Sequence, residues 1–233
     1  MSLETDQALD LAHGGDWRDD RQPVIVYLDI ETTSSGEWLL SQVSHLDPVD
    51  ASIWAAEHAA DHALDPLHGR VVCYAIATSL GTEWVRSGAI ELELLGRLLL
   101  DLQRCQPVQI VAHGGSTFDY PFLRSRALSH GGPLDVLAQW LWASKPWDSR
   151  LVDTCTAPEW LPAPPREKRD RWPRSLSALA ELLGIPRTPS IPSADVPREW
   201  YIGHAEAVEA HCLDDVRTLR AVHRRLAAGR GGQ

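Results

Sequence analysis

Three short stretches of this chain carry side chains able to do chemistry. The first, Tyr27-Leu28-Asp29-Ile30-Glu31-Thr32-Thr33, sets two carboxylates two residues apart. The dense apolar run Pro23 to Ile30 predicts a buried central strand, and alternation puts Asp29 and Glu31 on the same face at its end. Two like charges at the edge of a core repel and are costly to desolvate unless a divalent cation sits between them. The second stretch, Ile110 to Leu123, reads as a buried strand, a glycine turn and a helix start, with Asp119 in the first helical turn. Gly114-Gly115 lets the backbone approach something closely, and Phe118 offers an apolar face on which a base could stack. In the third, Glu209 to Val216, His211 and Asp215 lie four apart and share a helix face. Each stretch has a plainer alternative when read alone: solvated acids at a strand end, an acid complementing a helix dipole, and a surface His/Asp pair.

Positioning these groups requires strands and helices in a set order. Beyond the first strand, Val71 to Ser79 predicts a second, with Thr82 to Val85 as its hairpin partner after Leu80-Gly81, and Val108 to Ala112 predicts another short buried strand. Leucines at 92, 94, 95, 98, 99 and 102 mark a helix, and further helices are expected over Tyr120 to Ser129, Leu134 to Trp142, Ser175 to Leu183 and about His204 to Leu226. Trp160 to Arg174, with its prolines and basic run, is expected to be a surface excursion. The pattern is that of a sheet covered by helices.

At 233 residues the chain fits one medium domain, expected over residues 21–227, with loose segments at 1–20 and 228–233. Hydrophobic residues at 44% and charged residues at 23% exclude disordered and fibrous classes. No apolar run approaches the roughly 20 residues a bilayer requires, and the first ten residues are acidic where a signal peptide would be basic and then apolar, so no membrane association and a cytoplasmic location are expected. Cys73, Cys105, Cys155 and Cys212 lie far apart with no CxxC pair, which argues against a zinc knuckle or a disulfide framework. The net charge of −10 disfavours broad duplex contact, yet it leaves room for an enzyme whose carboxylates gather cations around a single strand end.

The three stretches, in this order, resemble the DEDD (DnaQ-like) superfamily of 3′-to-5′ exonucleases. Further similarity is to the branch related to the exonuclease domain of family B DNA polymerases, through His68-Gly69-Arg70-Val71-Val72, Val152-Asp153-Thr154, Ser175 to Pro186 and Ser193-Ala194-Asp195-Val196. The likeness runs from about Val24 to Leu226 and implies an α/β, ribonuclease H-like mixed central sheet flanked by helices. It also implies a metal-dependent exonuclease acting on single-stranded or frayed 3′ ends, DNA in preference to RNA, in a setting such as DNA repair. Two Mg²⁺ or Mn²⁺ ions would be held by Asp29, Glu31, Asp119 and Asp215, with Asp29 bridging, since such ions prefer oxygen ligands. His211 would remove or orient the proton of the attacking water, and Leu28, Thr32 and Phe118 would wall the terminal base and sugar.

Two departures from the family pattern stand out. Gly114 occupies a position where relatives commonly have Asn, which removes a side-chain amide. The third motif joins the histidine of one branch (His-x-x-x-x-Asp) to the spacing of the other (Tyr-x-x-x-Asp). A catalytically idle nucleic-acid-end or nucleotide-binding module is therefore the alternative expectation. Outside these motifs, His58 and His62 stand four apart on an expected helix but without the glutamate of a metalloprotease, which favours a structural surface. Tryptophans 140, 142, 147, 160 and 172 are expected mainly to pack helices, and one or two beside the basic run could stack single-stranded bases.

Overall fold

Alternation along the first strand decides which side chains meet which helices. The fold is seen in a computed structural model that describes residues 23–142, 150–155, 175–188 and 191–230. The expectations for residues 1–20, for Trp147, for Trp160 to Arg174 and for residues 231–233 of the tail fall outside the described residues. In β1 (Ile25–Ser34), Val26, Leu28 and Ile30 point to one side of the sheet and Tyr27 to the other, so Asp29 and Glu31 continue the face of Tyr27.

The remaining elements are α1 (Gly36–Gln42), α2 (Pro48–Glu57), β2 (Gly69–Thr78), β3 (Glu83–Ser87), α3 (Glu91–Cys105), β4 (Gln109–Ala112), α4 (Asp119–His130), α5 (Asp135–Trp140), β5 (Leu151–Asp153), α6 (Leu176–Leu182), α7 (Val196–Tyr201) and α8 (Ala205–Arg230). The sheet runs β3-β2-β1-β4-β5. β2 is antiparallel to β1 and β3, whereas β4 and β5 run parallel to β1, which makes a mixed sheet flanked by helices. Among the described residues no helix is long and apolar enough to cross a membrane.

Two apolar layers hold the sheet. Leu94, Leu95, Leu98 and Leu102 recur at helical spacing along α3 and pack with Phe122 and Leu123 of α4 on the face of Val26 and Leu28. Val208, Cys212, Val216, Leu219 and Val222 form the matching stripe of α8 and cover Tyr27, Cys73 and Ala75 on the other face. Each such side chain contributes about 1.5–3 kcal/mol of transfer free energy on full burial. Buried Glu91 ties α3 to the first layer, accepting hydrogen bonds from Val71 N–H (2.8 Å), the Arg126 guanidinium (2.6 Å) and His130 (2.9 Å).

Several boundaries differ from the sequence reading. β1 does not end at Ile30 but continues through the acidic pair to Ser34, with a register shift against β2 between Glu31 and Thr32. The reason is that Thr32, Thr33 and Ser34 are themselves buried, and Ser34 N–H finds Ala59 O at 2.8 Å. β5 was not expected as a strand, because three residues carry too little pattern to be read. α5 is shorter than Leu134 to Trp142, since a 3₁₀ turn over Gly132–Leu134 precedes it.

Candidate active site

The carboxylates meet where β1, the start of α4 and the middle of α8 converge. Beyond the pairing of Tyr27 with Val111, the β1–β4 ladder stops, so the following stretch of β1 has no strand beside it on that edge. Asp119 enters this gap, where the nearby Ile30 backbone N–H counteracts part of the rise that burial imposes on its carboxyl. The turn that delivers it depends on two glycines. Gly114 adopts φ +76°, and a Cβ on Gly115 would lie 2.6 Å from Ala112 Cβ and 2.8 Å from the Tyr120 ring, so neither site accepts a side chain without strain.

The same turn is gripped from β5. Asp153 accepts from Gly114 N–H (2.8 Å), Ser116 N–H (3.0 Å) and Cys155 N–H (2.8 Å), and also from the Ser116 hydroxyl. This carboxylate orients the turn directly through Gly114 N–H. The sequence motif containing Asp153 was visible, but its role was not, because it rests on the β4–β5 pairing of Ala112 with Asp153.

From the opposite side α8 presents His211 and Asp215. His211 is 3% exposed, and its Nε2 lies 3.6 Å from Glu31 Oε1, 3.8 Å from Asp215 Oδ2 and 3.3 Å from Ser193 Oγ. Cys212, one residue on, directs its thiol to Asp29 Oδ2 at 3.4 Å. Asp29, Glu31, Asp119, His211 and Asp215 thus line one cavity of about 220 Å³, together with Thr32 and Phe118. Leu28 is not brought to it. Its side chain is wholly buried on the α3 face, because neighbouring strand residues point oppositely, and this corrects its expected place as a wall. Ala63, Leu64 and His113 contribute walls instead.

The electrostatics of this cavity call for cations. Burial, and then the charges of Glu31, Asp215 and Asp119, hold the Asp29 carboxyl well above its usual range. Glu31 is raised in the same way by burial and by Asp215. Burial raises Asp119 from 3.8 to about 7, with Asp153 adding to the rise. Asp215 is also raised by burial, against the opposing pull of His211 and Arg187. Arg187 was missed by the sequence reading. Its guanidinium bonds to Asp215 Oδ1 and, at 3.2 Å, to Asp214 Oδ2, placing positive charge on the rim of the acidic cluster. Four carboxylates that burial and mutual repulsion drive toward protonation form a donor set suited to hard divalent ions such as Mg²⁺ or Mn²⁺.

This arrangement predicts how metal-free protein responds to pH. A folded-state pKa of about 7 at Asp119, against 3.8 ordinarily, means that the native state binds this proton more tightly than the unfolded chain. The resulting stability is complete below the unfolded value and is lost progressively as pH rises to about 7. Without divalent ions, the melting temperature should therefore fall between about pH 4 and about pH 7, and Asp119→Asn should lessen that fall. Mn²⁺, which must displace the protons, should raise the melting temperature more at the upper end of this range than at the lower. Thermal melts that respond to Mn²⁺ equally at both ends would contradict this account.

No family model matches the sequence, and no curated protein does. Among solved structures, the family B DNA polymerase from the hyperthermophilic archaeon Pyrobaculum calidifontis is similar, with a TM-score of 0.57 and 21% identity. The likeness covers 89% of this chain but 25% of the polymerase chain. Together with the mixed sheet order, it shows the fold: α/β and ribonuclease H-like, a mixed central sheet flanked by helices.

Proposed function

We propose that this chain is a divalent-metal-dependent 3′-to-5′ exonuclease of the DEDD type. It would hydrolyse single-stranded or frayed nucleic acid, DNA in preference to RNA, to nucleoside monophosphates. The observation that carries this reading is the convergence of Asp29, Glu31, Asp119 and Asp215 with His211 on one cavity. Two bound Mg²⁺ or Mn²⁺ ions would supply charge for the attacking water and the leaving oxygen.

The protein's own groups divide the remaining work. The four carboxylates would hold the cations, and Asp29 feels the charges of Glu31, Asp215 and Asp119 together. His211, whose Nε2 lies 3.6 Å from Glu31 Oε1 and 3.8 Å from Asp215 Oδ2, would take the proton of a water molecule bound beside it. Ser193 Oγ, 3.3 Å from the same nitrogen, helps fix the ring. Phe118 and Thr32 stand on the cavity wall where a terminal base and sugar would rest.

A cavity of this size admits one strand end rather than a duplex. Opening a terminal base pair costs about 1.4 kcal/mol per stacked step, equivalent to about tenfold in rate. Single strands and 3′ overhangs should therefore be shortened about tenfold faster than blunt duplexes when Mg²⁺ or Mn²⁺ is present. The assay follows 5′-labelled oligonucleotides on a gel, with and without a blocked 3′ end. Unchanged degradation of the 3′-blocked strand rejects the direction. The absence of any metal-dependent shortening favours the idle binding module.

A further inference from the structure

The loop between α2 and β2 holds metal-binding chemistry that the acidic cavity does not use. α2 ends at Glu57, so His58 and His62 do not share a helical face. His58 caps α2 and stacks on Trp54, with ring centroids 3.9 Å apart. His62 turns instead toward Asp65 and His68, and one ligand atom from each of these three residues lies within 4.8 Å of the others. Asp65 Oδ2 is 2.8 Å from His68 Nδ1 and 3.7 Å from His62 Nδ1. Ligands around a tetrahedral zinc ion are roughly 3.3 Å apart, given Zn–N and Zn–O bonds of about 2.0–2.1 Å. Both spacings lie within about 0.5 Å of that need.

The loop backbone is already fixed. His62 N–H donates to Ser34 Oγ (3.0 Å), and Gly69 N–H donates to Asp65 O (2.6 Å). A Cβ on Gly69 would lie 2.6 Å from His62 O and 2.8 Å from Asp65 O, so the turn closes only over glycine. The other oxygen of Asp65, Oδ1, is held by Leu67 N–H at 2.9 Å, the kind of outer contact that orients a metal-ligating carboxylate. The Trp38 ring packs edge-on against His62 at 4.2 Å. The three ligand side chains are 36–41% exposed, which leaves room for water as a fourth ligand.

We infer that His62, Asp65 and His68 form a second metal site, selective for a borderline transition ion such as Zn²⁺ or Co²⁺. Two imidazoles and one carboxylate suit these ions, whereas Mg²⁺ prefers oxygen donors and keeps its water. On binding, the ion takes the Nδ1 lone pairs and replaces the His68–Asp65 hydrogen bond, with any displaced proton passing to solvent. Ala63 and Leu64, between the ligands in sequence, form part of the wall of the acidic cavity, so the ion would brace that wall.

The site is tested in full-length Asp29→Ala protein, where the acidic cavity is disabled, with excess Mg²⁺ present. Titrated Co²⁺ should give the visible absorption of a four- or five-coordinate ion at one equivalent, and Zn²⁺ should abolish it by competition. His62→Gln and His68→Gln should each weaken Co²⁺ affinity at least about tenfold, while the ion-free melting temperature drops only slightly through the lost Trp38 and Asp65 contacts. A missing Co²⁺ spectrum, or one indifferent to both histidine substitutions, overturns the assignment. Because Asp29 is already replaced and Mg²⁺ is in excess, a Co²⁺ signal that depends on His62 and His68 stands apart from the exonuclease reading.

Discussion

Asp29→Ala should abolish hydrolysis of a 3′-labelled single strand while leaving the metal-free protein at least as stable as the parent. Asp119→Ala should do the same. Losing a single transition-state donor typically costs about 10²–10³ in rate, and a shared metal ligand should cost at least about 10³. Stability moves the other way because both carboxyls are buried among like charges, and their removal relieves repulsion that no bound ion offsets. Mn²⁺ should raise the melting temperature of the parent by mass action and raise that of either variant less. Asp50→Ala, on exposed α2 surface, is the control that should change neither property. Full activity in the Asp29 or Asp119 variant removes the acidic cavity as the site of chemistry.

The second large effect concerns His211. Its ring faces Glu31 and Asp215 from one turn of α8, so His211→Ala removes the proton acceptor but none of the carboxylates. Loss of a general base typically slows a reaction by about 10²–10⁴, and a decrease in that range is expected in kcat. Mn²⁺ affinity, measured by calorimetry, should remain close to that of the parent. His211→Tyr, which restores a hydroxyl-bearing ring at the Tyr-x-x-x-Asp spacing, should recover part of the lost rate. Should both variants turn over as the parent does, His211 only packs, and water activation belongs to the bound ions. A collapse of Mn²⁺ affinity in His211→Ala would instead make it a structural support for Glu31 and Asp215.

Local periodicity in the chain determined the elements and the faces that matter most. Alternation in β1 put Asp29 and Glu31 on a single face, and the four-residue step placed His211 beside Asp215, because these relations depend only on strand and helix geometry. The glycine turn before Asp119 was legible from local backbone geometry: at φ +76° Gly114 sits where glycine is strongly favoured. Leu28 was assigned to the cavity through resemblance alone, although the same alternation turns it toward α3. Tertiary structure decided everything that crosses between elements. Asp119 reaches Ile30 because the β1–β4 ladder stops at Tyr27 and Val111, and Asp153 holds Gly114 because β5 pairs with β4. Arg187 meets Asp215, and His62 meets Asp65 and His68, only once α8 and the α2–β2 loop are packed in place. Such contacts follow from strand register, a shift between Glu31 and Thr32, and close packing of the layers, none of which leaves a period in the sequence.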